Sequence, residues 1–160
     1  MLSDIELERY ARQVIMPHFG EDGQERLFAA KVLVVGAGGL GAPVILYLAA
    51  AGIGSITIID DDMVSRTDLN RQIVYCDEDV GRAKAQLAAQ AANAINPDIQ
   101  ISHLLTRLTK GNVNNLVSAH DVIVDCSDNA NTRYLLGDCA HHQGRKLVFG
   151  GAVRMEGQLS

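Results

Sequence analysis

Residues Lys31-Val-Leu-Val-Val-Gly36-Ala-Gly38-Gly39-Leu-Gly41 constrain this chain more than any other stretch, because they read as strand, tight turn and helix in immediate succession. The first five residues form a short β-branched run with no polar alternation, the pattern of a strand buried on both faces of a parallel sheet. Gly36, Gly38, Gly39 and Gly41 then allow a sharp turn and let a phosphate come close to the backbone. The segment 40–51 continues as an apolar helix whose first N–H groups point at that phosphate. A glycine-rich turn between a legible strand and a legible helix predicts a nucleotide site, and its default occupant is a dinucleotide, NAD or FAD.

The remainder of the chain repeats the alternation. Strands are predicted at 31–35, 55–60, 99–105, 121–125 and 146–150, and helices at 4–14, 21–29, 40–51, 81–95, about 111–118 and 132–142. Strand and helix in turn predict an α/β fold: a Rossmann-like, mostly parallel sheet with helices on both faces, its ligands beyond the C-terminal strand ends. The 160 residues make one domain, with 1–30 as an N-terminal helical extension. The stretch 150–160 reads as the start of a further strand with no closing helix, as in a C-terminally truncated fragment. A net charge of −5 argues against a nucleic-acid surface, and the longest apolar run, 43–53, is too short to cross a membrane. Three widely spaced cysteines, Cys76, Cys126 and Cys139, fit reduced, buried thiols in a cytoplasmic protein and supply no Cys-x-x-Cys for zinc.

A second constellation argues against the dinucleotide. Asp60 stands 24 residues after Gly36, where a ribose-binding carboxylate is expected, and serves NAD or ATP equally. It opens the run Asp60-Asp61-Asp62, of which Asp61 reads as a solvated turn. Then follow Asp68-Leu-Asn70-Arg71-Gln72, Lys84 in the first turns of the next helix, and Asp125-Cys-Ser-Asp128-Asn129 after the fourth strand. Any one of these is an ordinary surface charge. Together, at the ends of strands in one sheet, they suit an enzyme that splits ATP between its α and β phosphates. Arg71 and Lys84 would neutralise the triphosphate and the leaving pyrophosphate, and Asp128 would hold a Mg²⁺. An NAD-dependent oxidoreductase needs none of them and would need a substrate domain for which there is little room.

These residues carry a resemblance. The sequence is similar to the ATP-binding domain of the ThiF/MoeB/HesA family, relatives of the ubiquitin-activating enzymes, through Arg9-Tyr-Ala-Arg12-Gln13, Glu21-Asp-Gly-Gln24, Gly36–Gly41, Asp68–Gln72, Asn96-Pro97, Asp125–Asn129 and Arg154-Met-Glu-Gly-Gln158. The last motif most resembles the molybdopterin-synthase adenylyltransferases, with those of the thiamine pathway next. The resemblance implies ATP- and Mg²⁺-dependent adenylation of the C-terminal Gly-Gly carboxylate of a small ubiquitin-like sulfur carrier. By motif, the glycine loop Gly36, Gly38, Gly39 and Gly41 would lie on the nucleotide, Gly39 beside the phosphates. Asp60 would take the ribose hydroxyls, with Asp62 beside it, and Asn70, Arg71 and Lys84 the triphosphate. Asp128 would bind the metal next to Asn129. Arg12 resembles an arginine that enters the partner subunit's site, which implies a homodimer. Longer members carry two Cys-x-x-Cys pairs for a structural zinc, and this sequence has none. Arg71→Ala and Lys84→Ala are each expected to abolish adenylation and leave the fold intact. His141 and His142 point apart on a helix, and His18, His103 and His120 stand alone, so none is expected to be catalytic.

Overall fold

Strand β1 (Lys31–Val35) takes the middle of a six-stranded sheet because it has no polar face to give to solvent. The computed structural model describes residues 1–160. Strand order is β3-β2-β1-β4-β5-β6, from β2 (Ser55–Ile59), β3 (Gln100–Leu104), β4 (Val122–Asp125), β5 (Lys146–Val153) and β6 (Glu156–Leu159). The first five are parallel and β6 returns antiparallel to β5. From β1 the chain winds outward through β2 and β3, then crosses back to β4, so the strand order reverses between β1 and β4. In open α/β sheets that reversal opens a crevice beyond the strand ends.

The apolar run of β1 feeds two cores. Val32 and Val34 join Ile56 and Ile58 of β2 under helices α3 (Gly41–Ala51) and α4 (Lys84–Ile95), where Ile45, Ala49, Ala85, Ala88 and Ala92 are buried. Leu33 and Val35 turn the other way, against α5 (Val113–Ser118) and α6 (Ala130–His142), and meet Val117, Ile123 and Leu136. Each fully buried Leu, Ile or Val contributes about 1.5–3 kcal/mol. Between them Thr57 faces His120, whose Nδ1 donates to the Leu116 carbonyl and whose Nε2 is 2.8 Å from the Thr57 hydroxyl, so this lone histidine is structural.

Helices α1 (Asp4–Val14) and α2 (Gly20–Ala29) precede the sheet, α1 opened by a Ser3–Glu6 capping box. They close the N-terminal end of the strands. Tyr10, Gln24 and Asn96 are buried there, and Asn96 Nδ2 donates to the Tyr10 hydroxyl (2.7 Å) and the Ala49 carbonyl (2.8 Å).

Three elements depart from the sequence reading. Helix α4 starts at Lys84 rather than Gly81, because Gly81 turns at φ 87° and Gly81 and Arg82 exchange backbone hydrogen bonds with Val64, which keeps that segment out of the helix. Helix α6 starts two residues early, at Ala130, because the Asn129 side chain accepts the Thr132 N–H (2.9 Å) and caps it. The stretch from Gly150 on is a hairpin: β5 runs to Val153, and β6 pairs back from Glu156 after a turn with Arg154 at φ 57°.

Candidate active site

The turn after β1 lies in the crevice at the strand reversal. Gly36 adopts φ 93°, and a Cβ there would sit 2.9 Å from the Cys126 carbonyl oxygen after β4. At Gly41 it would sit 1.8 Å from the Gly36 carbonyl oxygen. Those two glycines are required by the fold. Gly38 and Gly39 differ: a Cβ at either would find nothing nearer than 3.7 Å, the Gln72 amide at one and the Arg71 stem at the other. The protein alone does not require glycine at these two positions. Glycine at both leaves the backbone of the turn open to close approach from the crevice.

Asp60 follows β2 and binds the turn from beside it. Its carboxylate accepts the Ala37 N–H (2.7 Å) and the Asp62 N–H (2.7 Å), one on each oxygen. Burial pushes this carboxyl above the usual range, and the two amides act in the opposite direction. Each oxygen retains acceptor capacity. The carboxylates of Asp60, Asp61 and Asp62 lie close together, with Asp61 and Asp62 exposed.

The cations converge on one acid. Lys84 Nζ lies 3.3 Å from both Asp62 and Asp68, and the Lys84 and Asp68 side chains are only 7% and 9% exposed. Asp68 also accepts from Arg71 (3.3 Å), Gln72 (3.0 Å) and the Ser65 amide (3.0 Å). Burial raises the Asp68 carboxyl, but the Ser65 amide and Lys84 outweigh it and hold it below the usual range. Arg71 remains mostly exposed, bonded to the Thr67 carbonyl and the Asn70 side chain, with its stem against Gly39. The Tyr75 hydroxyl sits between the Ala37 carbonyl (2.7 Å) and the Lys84 carbonyl (3.2 Å), tying the glycine turn to the start of α4. The structure therefore brings Gly36, Gly38, Gly39, Gly41, Asp60, Asp62, Asn70, Arg71 and Lys84 into one neighbourhood.

It also corrects one expectation. Lys84 is a buried partner of a buried acid, so Lys84→Ala leaves Asp68 short of a counter-charge and cannot leave stability untouched. Arg71→Ala remains a clean probe.

Across the crevice, Asp125 ends β4 with no exposed surface. It accepts the Ser127 N–H (2.9 Å) and hydroxyl (2.6 Å) on one oxygen and Arg133 Nε (3.2 Å) on the other. Asp128 is exposed and makes no hydrogen bond or ion pair. Mg²⁺ takes only one or two protein carboxylates and keeps several waters, so a free, exposed carboxylate at a strand end fits it. Arg12 is not in this neighbourhood. It is exposed on α1, at the N-terminal end of the sheet, where its neighbours Tyr10 and Gln13 bond to Asn96 and Ala51.

The cysteines divide. Burial pushes the Cys126 thiol up to about 12 and raises Cys139, so both are inert, as expected. Cys76 is exposed, against expectation, because it ends a loop and caps the short 3-10 turn Asp77–Asp79. Sequence reading gave no role to Tyr75, Asp125 or Arg133. Their partners lie 38, 2 and 8 residues away across turns, and no periodicity signals such pairs.

The ThiF family sequence model matches residues 10–160. A SAMP-activating enzyme E1 from Haloferax volcanii is 48% identical over 159 residues, covering 99% of this chain. The chain belongs to the ThiF family. A probable adenylyltransferase/sulfurtransferase MoeZ from Mycobacterium tuberculosis is 49% identical over 99% of the chain. The chain spans 59% and 41% of the lengths of these two ThiF relatives. Among solved structures, the fold is similar to E. coli tRNA N6-threonylcarbamoyladenosine dehydratase TcdA in complex with ATP, with a TM-score of 0.86 and 30% identity over 96% of this chain and 65% of that one. No helix of this ThiF domain is long and apolar enough to cross a membrane.

Proposed function

We propose that residues 1–160 form an adenylyltransferase domain, with the helices of 1–30 as an extension, that activates the C-terminal Gly-Gly carboxylate of a ubiquitin-like sulfur carrier with ATP. The observation that carries this reading is the pair of cations at the glycine turn, Arg71 against Gly39 and Lys84 beside Asp62, both gathered by Asp68. A dinucleotide site works largely with backbone amides and has no use for two such cations. The named relatives are adenylyltransferases or a SAMP-activating enzyme, and TcdA is seen with ATP, which supports the same nucleotide.

In this reading the amides of the glycine turn and Asp60 hold the nucleoside, with Asp62 and Asn70 beside the cations. Arg71 and Lys84 screen the triphosphate, so that a carboxylate, already ionised at neutral pH, can approach its α phosphate. Asp128, flanked by Asn129, would hold a Mg²⁺, which when bound screens phosphate oxygens and the departing pyrophosphate. The rest of the acceleration is placement, since the nucleophile needs no base. Arg12 stands exposed and unpaired at the far end of its own sheet, which suits a role in a partner's site, and in this reading it would serve the second subunit of a homodimer. Free thiols, one of them exposed, suit a reducing cytoplasm.

Pyrophosphate exchange into ATP tests this. Exchange dependent on a carrier ending in Gly-Gly, and lost when the tail is truncated, is expected. Molybdopterin- and thiamine-pathway carriers tested side by side identify the partner. Exchange with neither, from a chain that binds Mg-ATP, contradicts the reading.

A further inference from the structure

Asp128 owes its position entirely to its neighbours. It has no bond of its own, yet the residue on each side is pinned. Asn129 is fixed as the cap of α6 through Thr132 (2.9 Å). Ser127 is fixed by Asp125, through its N–H (2.9 Å) and hydroxyl (2.6 Å), and by Arg133, whose Nη2 donates to its carbonyl (3.2 Å). The same guanidinium donates through Nε to Asp125 (3.2 Å) and through Nη2 to the Gly150 carbonyl of β5 (2.8 Å), and lies 4.9 Å over the Phe149 ring. One side chain thus joins the end of β4, the loop after it and β5. Its Nη1 would lie 3.2 Å from a Cβ at Gly151, so the small residue there leaves room for it.

We propose that Arg133 is a positioning residue for the metal step: it holds the 126–129 loop so that Asp128 presents its carboxylate to Mg²⁺. The proposal rests on the adenylyltransferase reading and adds to it a residue that acts through Asp125 and Ser127 rather than on the nucleotide. The role is specific to arginine. Its planar fork sends directed N–H groups to three acceptors at once, whereas a lysine ammonium is a single point charge on a flexible stem. Lysine would still neutralise buried Asp125 but would release Ser127 or Gly150.

Arg133→Lys is therefore the informative variant, read by calorimetric titration of ATP without metal, then of Mg²⁺ into the ATP-loaded chain. The expected result is a lowered melting temperature, from the released hydrogen bonds, and unchanged metal-free ATP affinity, with Mg²⁺ affinity weakened about 10–100-fold, as for other residues that orient a metal ligand. Excess Mg²⁺ should then restore ATP affinity to the wild-type level. A Mg²⁺ titration matching wild type overturns the proposal, as does equal loss of metal-free and metal-dependent binding. If Arg133→Lys fails to fold, Ser127→Ala makes the same test with the Asp125–Arg133 pair intact: weaker Mg²⁺ binding supports the loop's role and unchanged binding overturns it. A wild-type chain that binds no Mg-ATP overturns the adenylyltransferase reading and this inference together, whereas normal binding by wild type and variant alike overturns this inference alone.

Discussion

The two ends of the sheet solve the same problem, burying polar side chains, in opposite ways. At the N-terminal end, the buried groups under helices α1 and α2 are neutral and paired. Gln13 Nε2 donates to Gln24 Oε1 (2.8 Å), both amides donate to the Ala51 carbonyl (3.1 Å each), and Asn96 joins Tyr10 to Ala49. At the C-terminal end the groups are charged and only partly engaged. Lys84 lies between two acids, Asp128 has no partner, and Gln72, almost wholly buried, leaves Oε1 unpaired. A finished network holds a fold, and an unfinished one holds capacity for a ligand. Substitutions at the two ends should therefore separate stability from binding.

The largest expected effect is on chemistry. Arg71→Ala should lower pyrophosphate exchange by about 100–1000-fold, the scale of losing one preorganised charge partner. Its side chain is 58% exposed, so stability should change by less than about 1 kcal/mol. Lys84→Ala should lose activity as fully but also about 1.5–3 kcal/mol of stability, the scale of losing one charged hydrogen bond to a buried acid that keeps Arg71, Gln72 and the Ser65 amide. Equal denaturant midpoints for the two variants would show that the Lys84–Asp68 pair is not buried as described.

At the other end the pattern should invert. Asn96→Leu orphans the Tyr10 hydroxyl, leaves the Ala49 carbonyl only the Gly52 N–H, and should cost about 1–3 kcal/mol in urea unfolding. The folded fraction should bind Mg-ATP with wild-type affinity. A changed affinity would mean that the two ends are coupled through the sheet.

The smallest effect is a pH dependence confined to the charged end. The Asp68 carboxyl is held below its ordinary 3.8 in the fold, so its contribution is full above that value and disappears as pH falls through the lower, folded value. Asp68→Asn should therefore be less stable than wild type near neutral pH, with the gap closing below about pH 3.8. A gap that stays constant down to acid-induced unfolding would argue that Lys84 and the Ser65 amide do not favour the charged form.

The charged end was the more legible in sequence. The β1 run, the glycine turn and Asp60 are local patterns, and strand geometry carries them to one place. Apart from Arg12, the neutral end was visible only as motifs without a purpose: the rest of Arg9–Gln13, Glu21–Gln24 and Asn96-Pro97 could be matched to a family but not explained. Their meaning lies in contacts such as Tyr10–Asn96, 86 residues apart, which no periodicity encodes. The same holds for the burial of Lys84, set by an antiparallel bridge between Met63 and Ala83, and for the exposure of Cys76. Asp125 belongs to a legible motif, but its work on Ser127 and Arg133 depends on how the loop after β4 folds back against α6.

Calorimetric titration of the chain with Mg-ATP, with NAD in parallel, decides which nucleotide the crevice takes. Mg-ATP should bind, more weakly to Arg71→Ala and Asp128→Ala chains of unchanged melting temperature, and NAD should give no response. Binding of NAD with no response to Mg-ATP would contradict the adenylyltransferase reading.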